Sequence, residues 1–500
     1  MAPRAETLTP DEAAALRARF MRGFPAISLA IFLSAVDQTI TATALPAIAA
    51  DLGALERVSW IVVAYLVAAT GAAPVFGQLG DVFGRLKLLY VGLGLFAAGA
   101  IGCALAPDLG TLVAARMLQG VGGGALYTLG QALIGEAVPP RERGRFQAYI
   151  AGTFAAASAF GPVAGGFITE WFGWRAVFYA LLPLGVACVA LSVRLPRVAP
   201  TRRERGLRFD WAGLALFIVM IGAALVALDR LRRMDFSALP LAALLLAVAG
   251  LAAWLLVRVE RAARDPLLPL GMLGDPTIWR SLLLSALVGG AIVGTIAFLP
   301  LYLQAVRALS AGEAGLVLVP LSIGAALGAV FAGRMVARTG RGMVWPGFGL
   351  LAAALLMAAV ALALGAFSPL VLSLLLGLVA TGAGTSYPVV QTTVQAAAGR
   401  ERLGAAAASV AFSRSLGAAA GAALMGAVLF GSLALGSGAA AEGLARLASE
   451  GPGALGALAP EAAVAIRDGL ADAFRAMFLV AAALMLAASF LAWRVPMRRF

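Results

Sequence analysis

"GQLGDVFGRLK" (77–87) and "GRMVARTGR" (333–341) are two copies of one short loop, set 256 residues apart. Placing Gly77 on Gly333 also places Gly84 on Gly340 and Arg85 on Arg341. Each copy follows a long apolar run and is followed by another, so the pair reads as a duplicated unit rather than two unrelated glycine-rich turns. The apolar runs around the loops set the size of that unit. A helix crossing a bilayer core of about 30 Å needs about 20 apolar residues. Fourteen runs of that kind lie near 25–46, 58–77, 87–106, 110–136, 146–169, 175–194, 211–229, 238–257, 279–302, 312–333, 343–364, 369–391, 404–432 and 473–493.

Composition agrees with a chain written for lipid. Of 500 residues, 62% are hydrophobic and 13% charged, and the mean hydropathy is +0.94. A soluble domain sits near half apolar and a quarter charged. The net charge of +13 is no sign of nucleic-acid binding, because the basic residues punctuate apolar runs instead of clustering on a soluble face. Cys103 and Cys188 both lie inside apolar runs and read as small buried residues, not a disulfide. There is no histidine, which removes His proton relays and His-ligated metal sites. No metal site and no cofactor are expected.

The basic residues orient the chain. Of the 38 Lys and Arg, 26 fall in segments that share the side of the N-terminus, 9 in the alternate segments, and Arg116, Arg280 and Arg414 in or at the edge of spans. By the positive-inside bias, both termini are then cytoplasmic. The expected organisation is a cytoplasmic segment at 1–24, a six-helix bundle over 25–195, a basic linker with two inserted helices over 196–260, a second six-helix bundle over 261–494 and a tail at 495–500. An Ala/Gly-rich stretch at 433–472 falls outside by parity and serves as a gate or a passive loop. The expected fold class is an all-α integral membrane protein of two bundles around a central cavity, with alternating access by rocking of one bundle against the other.

Inside this apolar frame a few polar residues stand out. Asp37, in "IFLSAVDQTITATALPAI" (31–48), lies roughly 18 Å into the first span, past mid-membrane. Arg116, in "RMLQGVGGGA" (116–125), enters the fourth span from the other side to a depth of roughly 12 Å, so the two meet at a similar level. An intramembrane acid is a functional candidate by default. Its alternative role is a carboxylate satisfied by neighbours for helix packing. Arg116 could pair with it or snorkel, and Gln119 could join the network. Asp81 and Arg85 sit in the loop with Gly77 and Gly84, where Asp81 can cap a helix N-terminus or meet a basic residue. "GPVAGG" (161–166) brings Gly161, Pro162, Gly165 and Gly166, suited to close helix contact and a kink.

These motifs, together with "SWIVVAYLVA" (59–68), "GWRAVF" (173–178) and "LPLYLQAVRALSAGEAG" (299–315), resemble the major facilitator superfamily, and within it the fourteen-span drug:proton antiporter family. The resemblance covers nearly the whole chain. It implies the major facilitator fold, proton coupling through Asp37 and Arg116, a conformational switch in the Gly77–Arg85 loop and an antiporter-type helix motif at 161–166. Two departures stand out: Ala337 takes the place in the second loop that Asp81 has in the first, and Leu182 precedes Pro183 where family members often carry Asn.

The expected function is a proton-coupled antiporter that exports amphipathic small molecules, a multidrug efflux protein of the inner cell membrane powered by the proton gradient. Its expected partners are protons, lipid and the small-molecule substrate, with the chain acting as a monomer. Candidates for the cavity wall are Trp60, Tyr65, Gln119, Tyr127, Tyr302, Gln391, Gln395 and Arg414, each equally able to serve helix packing. Exporting one endogenous metabolite, antibiotic or lipid is the alternative, followed by a transport-inactive receptor or scaffold. No enzyme is expected, since no nucleophile–base pair or metal set lies within the spans.

Overall fold

Proline and glycine decide where the apolar runs break into helices. The computed structural model describes residues 10–52, 59–138, 140–195, 210–232, 239–262, 270–307, 309, 311–399, 402–435, 460–497 and 499. Most of the 433–472 stretch and the basic linker after 195 lie outside the described residues. The first repeat forms α1 (Pro10–Asp51), α2 (Ser59–Phe83), α3 (Arg85–Ala104), α4 (Leu109–Ala137), α5 (Pro140–Phe172), α6 (Trp174–Tyr179) and α7 (Leu181–Ser192). The insert forms α8 (Trp211–Arg232) and α9 (Leu239–Ala262). The second repeat forms α10 (Pro276–Ala305), α11 (Ala311–Thr339), α12 (Val344–Leu362), α13 (Pro369–Gly384), α14 (Ser386–Ala398), α15 (Leu403–Leu435) and α16 (Pro460–Arg494).

Two runs that read as single helices are each divided. Pro183 has no N–H to offer the carbonyl four residues back, and the helix breaks at Ala180 between α6 and α7. Pro388 does the same to the run between α13 and α14. There the hydroxyls of Thr385 and Ser386 donate to the carbonyls of Gly382 and Ala383 at 2.6 and 2.7 Å. The two loop copies share a further trait. Gly84 and Gly340 both have positive φ, 97° and 66°, a conformation in which a Cβ is strained. The aligned glycines thus share a left-handed backbone, although one residue separates α2 from α3 and four separate α11 from α12.

Among the described residues, twelve helices are long and apolar enough to cross a bilayer. Of the fourteen expected, the other two are α4 and α8. Along α4, Arg116, Gln119 and a glycine-rich middle lower its hydropathy, while α8 has a shorter apolar part, Trp211–Ala224.

The chain divides into two compact units. The first comprises Met1–Ala223, Val248–Trp279 and Gln391–Phe412; the second comprises Ala224–Ala247, Arg280–Val390 and Ser413–Phe500. The division runs through α8, α9, α10, α14 and α15. In the first unit α4 packs along α2 and α3, and α1 along α5. In the second, α11 packs on α13, α12 on α16, and α10 on α15 through Gly290, Gly417 and Gly421. Each unit has its own apolar core, the first centred on residues such as Ile31, Phe96 and Phe178, the second on Tyr302, Met357 and Phe474.

Candidate functional site

The glycines of "RMLQGVGGGA" let α4 touch two helices at once. A Cβ at Gly120, Gly123 or Gly124 would collide with Tyr65 or Ala69 of α2, and one at Gly122 with Phe96 of α3. Seated this closely, α4 carries Arg116 and Gln119 into the core of the first unit, where α1 supplies Asp37. Asp37 is fully buried and Arg116 is 1% exposed.

Arg116 Nη1 donates to both Asp37 oxygens, at 2.9 and 2.8 Å, and to Gln119 Oε1 at 2.8 Å. Gln119 Nε2 donates to Asp37 Oδ1 at 3.0 Å, and Arg116 Nε to the Ile61 carbonyl at 3.4 Å. The Cys103 thiol donates to Gln119 Oε1 at 3.4 Å. The guanidinium lies 4.4 Å from the centre of the Tyr65 ring and 5.9 Å from that of Phe178. The Tyr65 hydroxyl donates to the Ser34 carbonyl at 3.2 Å, tying α2 to α1 one turn before Asp37. Pairing in this setting offsets the desolvation of two charges, and removing either partner would leave the other uncompensated.

The "GPVAGG" stretch packs against the helix that holds the acid. Gly161 and Gly165 leave no room for a Cβ beside Thr39 and Thr43 of α1. Thr39 Oγ1 donates to both the Val36 and Ala157 carbonyls at 3.0 Å, which fixes α5 to α1 two residues from Asp37. Pro162 and Gly166 are exposed, and Gly166 has open space around it.

In the first loop copy, Asp81 accepts from Arg85 Nε and Nη2 at 3.2 and 2.7 Å and from the Gly404 backbone N–H at 3.2 Å. Gly404 lies in the first turn of α15, where a carboxylate meets the positive end of the helix dipole. A Cβ at Gly77 would meet the Gly404 carbonyl at 2.7 Å, so the approach requires the glycine. Arg85 Nη1 also pairs with Glu136 Oε2 at 2.7 Å. Glu136 was not singled out from sequence, although an acid at the very end of an apolar run was visible there. At the far end of α1, Asp51 accepts from Trp174 Nε1 at 3.0 Å and from Arg175 Nη1 at 2.8 Å. The Arg175 hydrogen bond first, and the Trp174 one second, hold the Asp51 carboxyl below the usual carboxylate range. "GWRAVF" thus acquires a structural meaning: Trp174 and Arg175 grip Asp51, and Phe178 faces Arg116.

The cavity candidates separate. Tyr65 and Gln119 belong to the Asp37 network. Tyr302 is buried in the core of the second unit, edge-on to Phe474 at 5.4 Å, its hydroxyl donating to the Leu364 carbonyl at 3.2 Å. Trp60 is 37% exposed at the start of α2, and Tyr127 meets the Phe154 ring at 5.9 Å. Gln395 is buried and donates to the Gln131 carbonyl at 3.1 Å. Gln391 is buried, and its Nε2 has no hydrogen-bond partner among the described residues. Arg414 is half-buried, with its guanidinium 6.0 Å from the Tyr387 ring. Among the described residues no cluster of His, Cys, Asp and Glu could hold a metal ion.

A repeated set of apolar helices with a buried acid–base pair in its first unit defines a multi-pass helical membrane protein. The chain belongs to the Major Facilitator Superfamily, whose sequence model matches residues 27–422. It is 30% identical over 403 residues to multidrug transporter protein MdtP of Bacillus subtilis, spanning 79% of this chain and 73% of that protein. It is 34% identical over 349 residues to MFS-type efflux pump LUC4 of a Fusarium species, spanning 69% of this chain. The chain spans 61% of the length of that pump and 59% of the length of multidrug resistance protein 3 of Bacillus subtilis. Its fold is similar to that of the human organic anion transporter MFSD10, with a TM-score of 0.67 over 94% of this chain and 99% of the other at 17% identity.

Proposed function

We propose that the protein is a proton-coupled antiporter that exports amphipathic small molecules by alternating access. The observation that carries this is the fully buried Asp37, held by Arg116 and Gln119 in the core of the first unit. The efflux relatives support the direction of transport. A carboxylate this deep is an expensive placement that a proton can relieve. Protonation of Asp37 weakens its bonds to Arg116 and Gln119, and substrate favours the opposite state. Coupling follows when the two ligands stabilise different conformations.

Asp81 supplies the conformational element in this scheme. It holds the first turn of α15 to the α2–α3 loop, and cytoplasmic opening breaks that contact. The proton gradient is the energy source, no cofactor takes part and the protein acts as a monomer in the inner membrane with both termini cytoplasmic. Helices α4 and α8 also cross: α4 has 29 residues and joins two spans, giving it a length of about 43 Å. Among the described residues the second unit buries no Asp or Glu, which favours neutral, zwitterionic or monocationic cargo over dications.

The test is the purified full chain in liposomes with an imposed pH gradient, comparing wild type and Asp37→Asn across neutral, monocationic and anionic amphipathic dyes. Gradient-driven dye flux in wild type and its loss in the variant are expected. Equal flux in both would remove Asp37 from the coupling step.

A further inference from the structure

Arg116 keeps its charge in every state of the site, whereas Asp37 can lose its own. When Asp37 takes a proton, a guanidinium that is 1% exposed is left without its counter-ion. A buried charge of that kind needs other partners. Four uncharged ones are already in place: the Tyr65 ring at 4.4 Å, the Phe178 ring at 5.9 Å, the Ile61 carbonyl at 3.4 Å and Gln119 Oε1 at 2.8 Å. We propose that the aromatic faces of Tyr65 and Phe178 are the stand-in partners of Arg116, and that Tyr65 sets the pH at which the site changes state. The inference rests on Asp37 being the proton site.

The rings act differently on the two states. With Asp37 ionised, the pair is close to neutral and the ring quadrupole has little net charge to attract. With Asp37 neutral, the full positive charge faces the ring in a desolvated place, where a cation–π contact is strongest. The rings therefore favour the protonated site, and removing one makes protonation harder. Tyr65 is built for this position: its hydroxyl is anchored on Ser34, and Gly123 leaves room for it. The titratable and charged groups facing the site are Asp37 from α1, Tyr65 from α2, Cys103 from α3 and Arg116 from α4. Phe178 comes from α6, and α5 presents Gly161 and Gly165 to α1.

The experiment is an infrared pH titration of the full chain in phosphatidylethanolamine–phosphatidylglycerol liposomes, following the protonated-carboxyl band that Asp37→Asn removes. Tyr65→Leu is expected to move its midpoint about one unit toward lower pH, a roughly tenfold weaker proton affinity. Phe178→Leu should move it less in the same direction, and Tyr65→Phe, which keeps the ring, should leave it near wild type. An unmoved midpoint in Tyr65→Leu overturns the inference, as does a Tyr65→Phe shift equal to that of Tyr65→Leu. Should Tyr65→Leu fail to assemble, an unmoved midpoint in Phe178→Leu overturns it. A titration with no Asp37 band at any pH overturns proton coupling at Asp37 itself, and the inference with it.

Discussion

In the first compact unit α1 packs on α5 and α4 on α2; in the second, α10 packs on α15 and α13 on α11. The pairing scheme is repeated, yet the interiors are of opposite kinds. Every buried charged side chain among the described residues (Asp37, Asp81, Arg85, Arg116, Arg143 and Glu260) belongs to the first unit. Where the first unit buries an ion pair, the second buries Tyr302, Met357, Phe474 and Phe478. Its helices meet through glycine and through threonine, as where Gly324 and Gly328 of α11 press on Gly377 and Thr381 of α13. One packing plan therefore tolerates two energetic solutions. Dispersion and close contact suffice to hold helices together in lipid, so the charges of the first unit are available for a task other than cohesion.

Breaking the ion pair should have the largest effect. Arg116→Ala leaves Asp37 buried and unpaired and is expected to cost about 3–5 kcal/mol, read as a large drop in thermal stability of the purified protein. Asp37→Leu combined with Arg116→Met gives the first unit the kind of core the second already has and should recover most of that loss. A stable Arg116→Ala protein would show that the pair contributes nothing to cohesion even when half of it is removed.

Substitutions at the close contacts probe what the two units share. Gly421→Ala places a Cβ against the Gly290 backbone, and Gly124→Ala places one against the Ala69 carbonyl. Each should destabilise by about 1–3 kcal/mol through overpacking, measurable by the same thermal assay. Similar losses in the two would confirm a common packing plan, and a loss in one alone would break it.

The smallest effect is expected at Asp51, whose pairing with Arg175 is exposed on both sides. Asp51→Asn should lower the melting temperature by about 1 °C or less at neutral pH, as surface pairs usually contribute little. Because the folded carboxyl is held below its ordinary value, its contribution is present above the usual carboxylate range. It is lost as pH falls through the lowered value. The gap between wild type and variant should therefore close in acid, and a gap that widens there would contradict the pairing.

Much of the site could be read in the chain, and the unread part has a common cause. Asp37 and Arg116 were visible because an ionisable residue in an apolar run is conspicuous without any knowledge of its neighbours. Glu136, Phe178 and Cys103 were not, since an acid at a helix end, a phenylalanine in an apolar helix and a buried cysteine each have an ordinary explanation. Tyr302 gives a related case: the sequence shows a tyrosine in a span, and only the packing shows that its hydroxyl meets the Leu364 carbonyl inside the core of the second unit.

Hydropathy, charge and the repeated loop are written locally along the chain. They were enough to determine an all-helical membrane protein, its duplication and the presence of one costly acid in its first span. The tertiary structure decided which residues surround that acid. Its partners come from helices far apart in sequence, 79 residues in the case of Arg116. Whether they meet depends on the glycines of α4 bringing α2 and α3 close enough, and on the break before Pro183 shaping the short helix that presents Phe178. Spacing along a chain carries helix length and depth; side-chain partnership depends on how helices pack against one another.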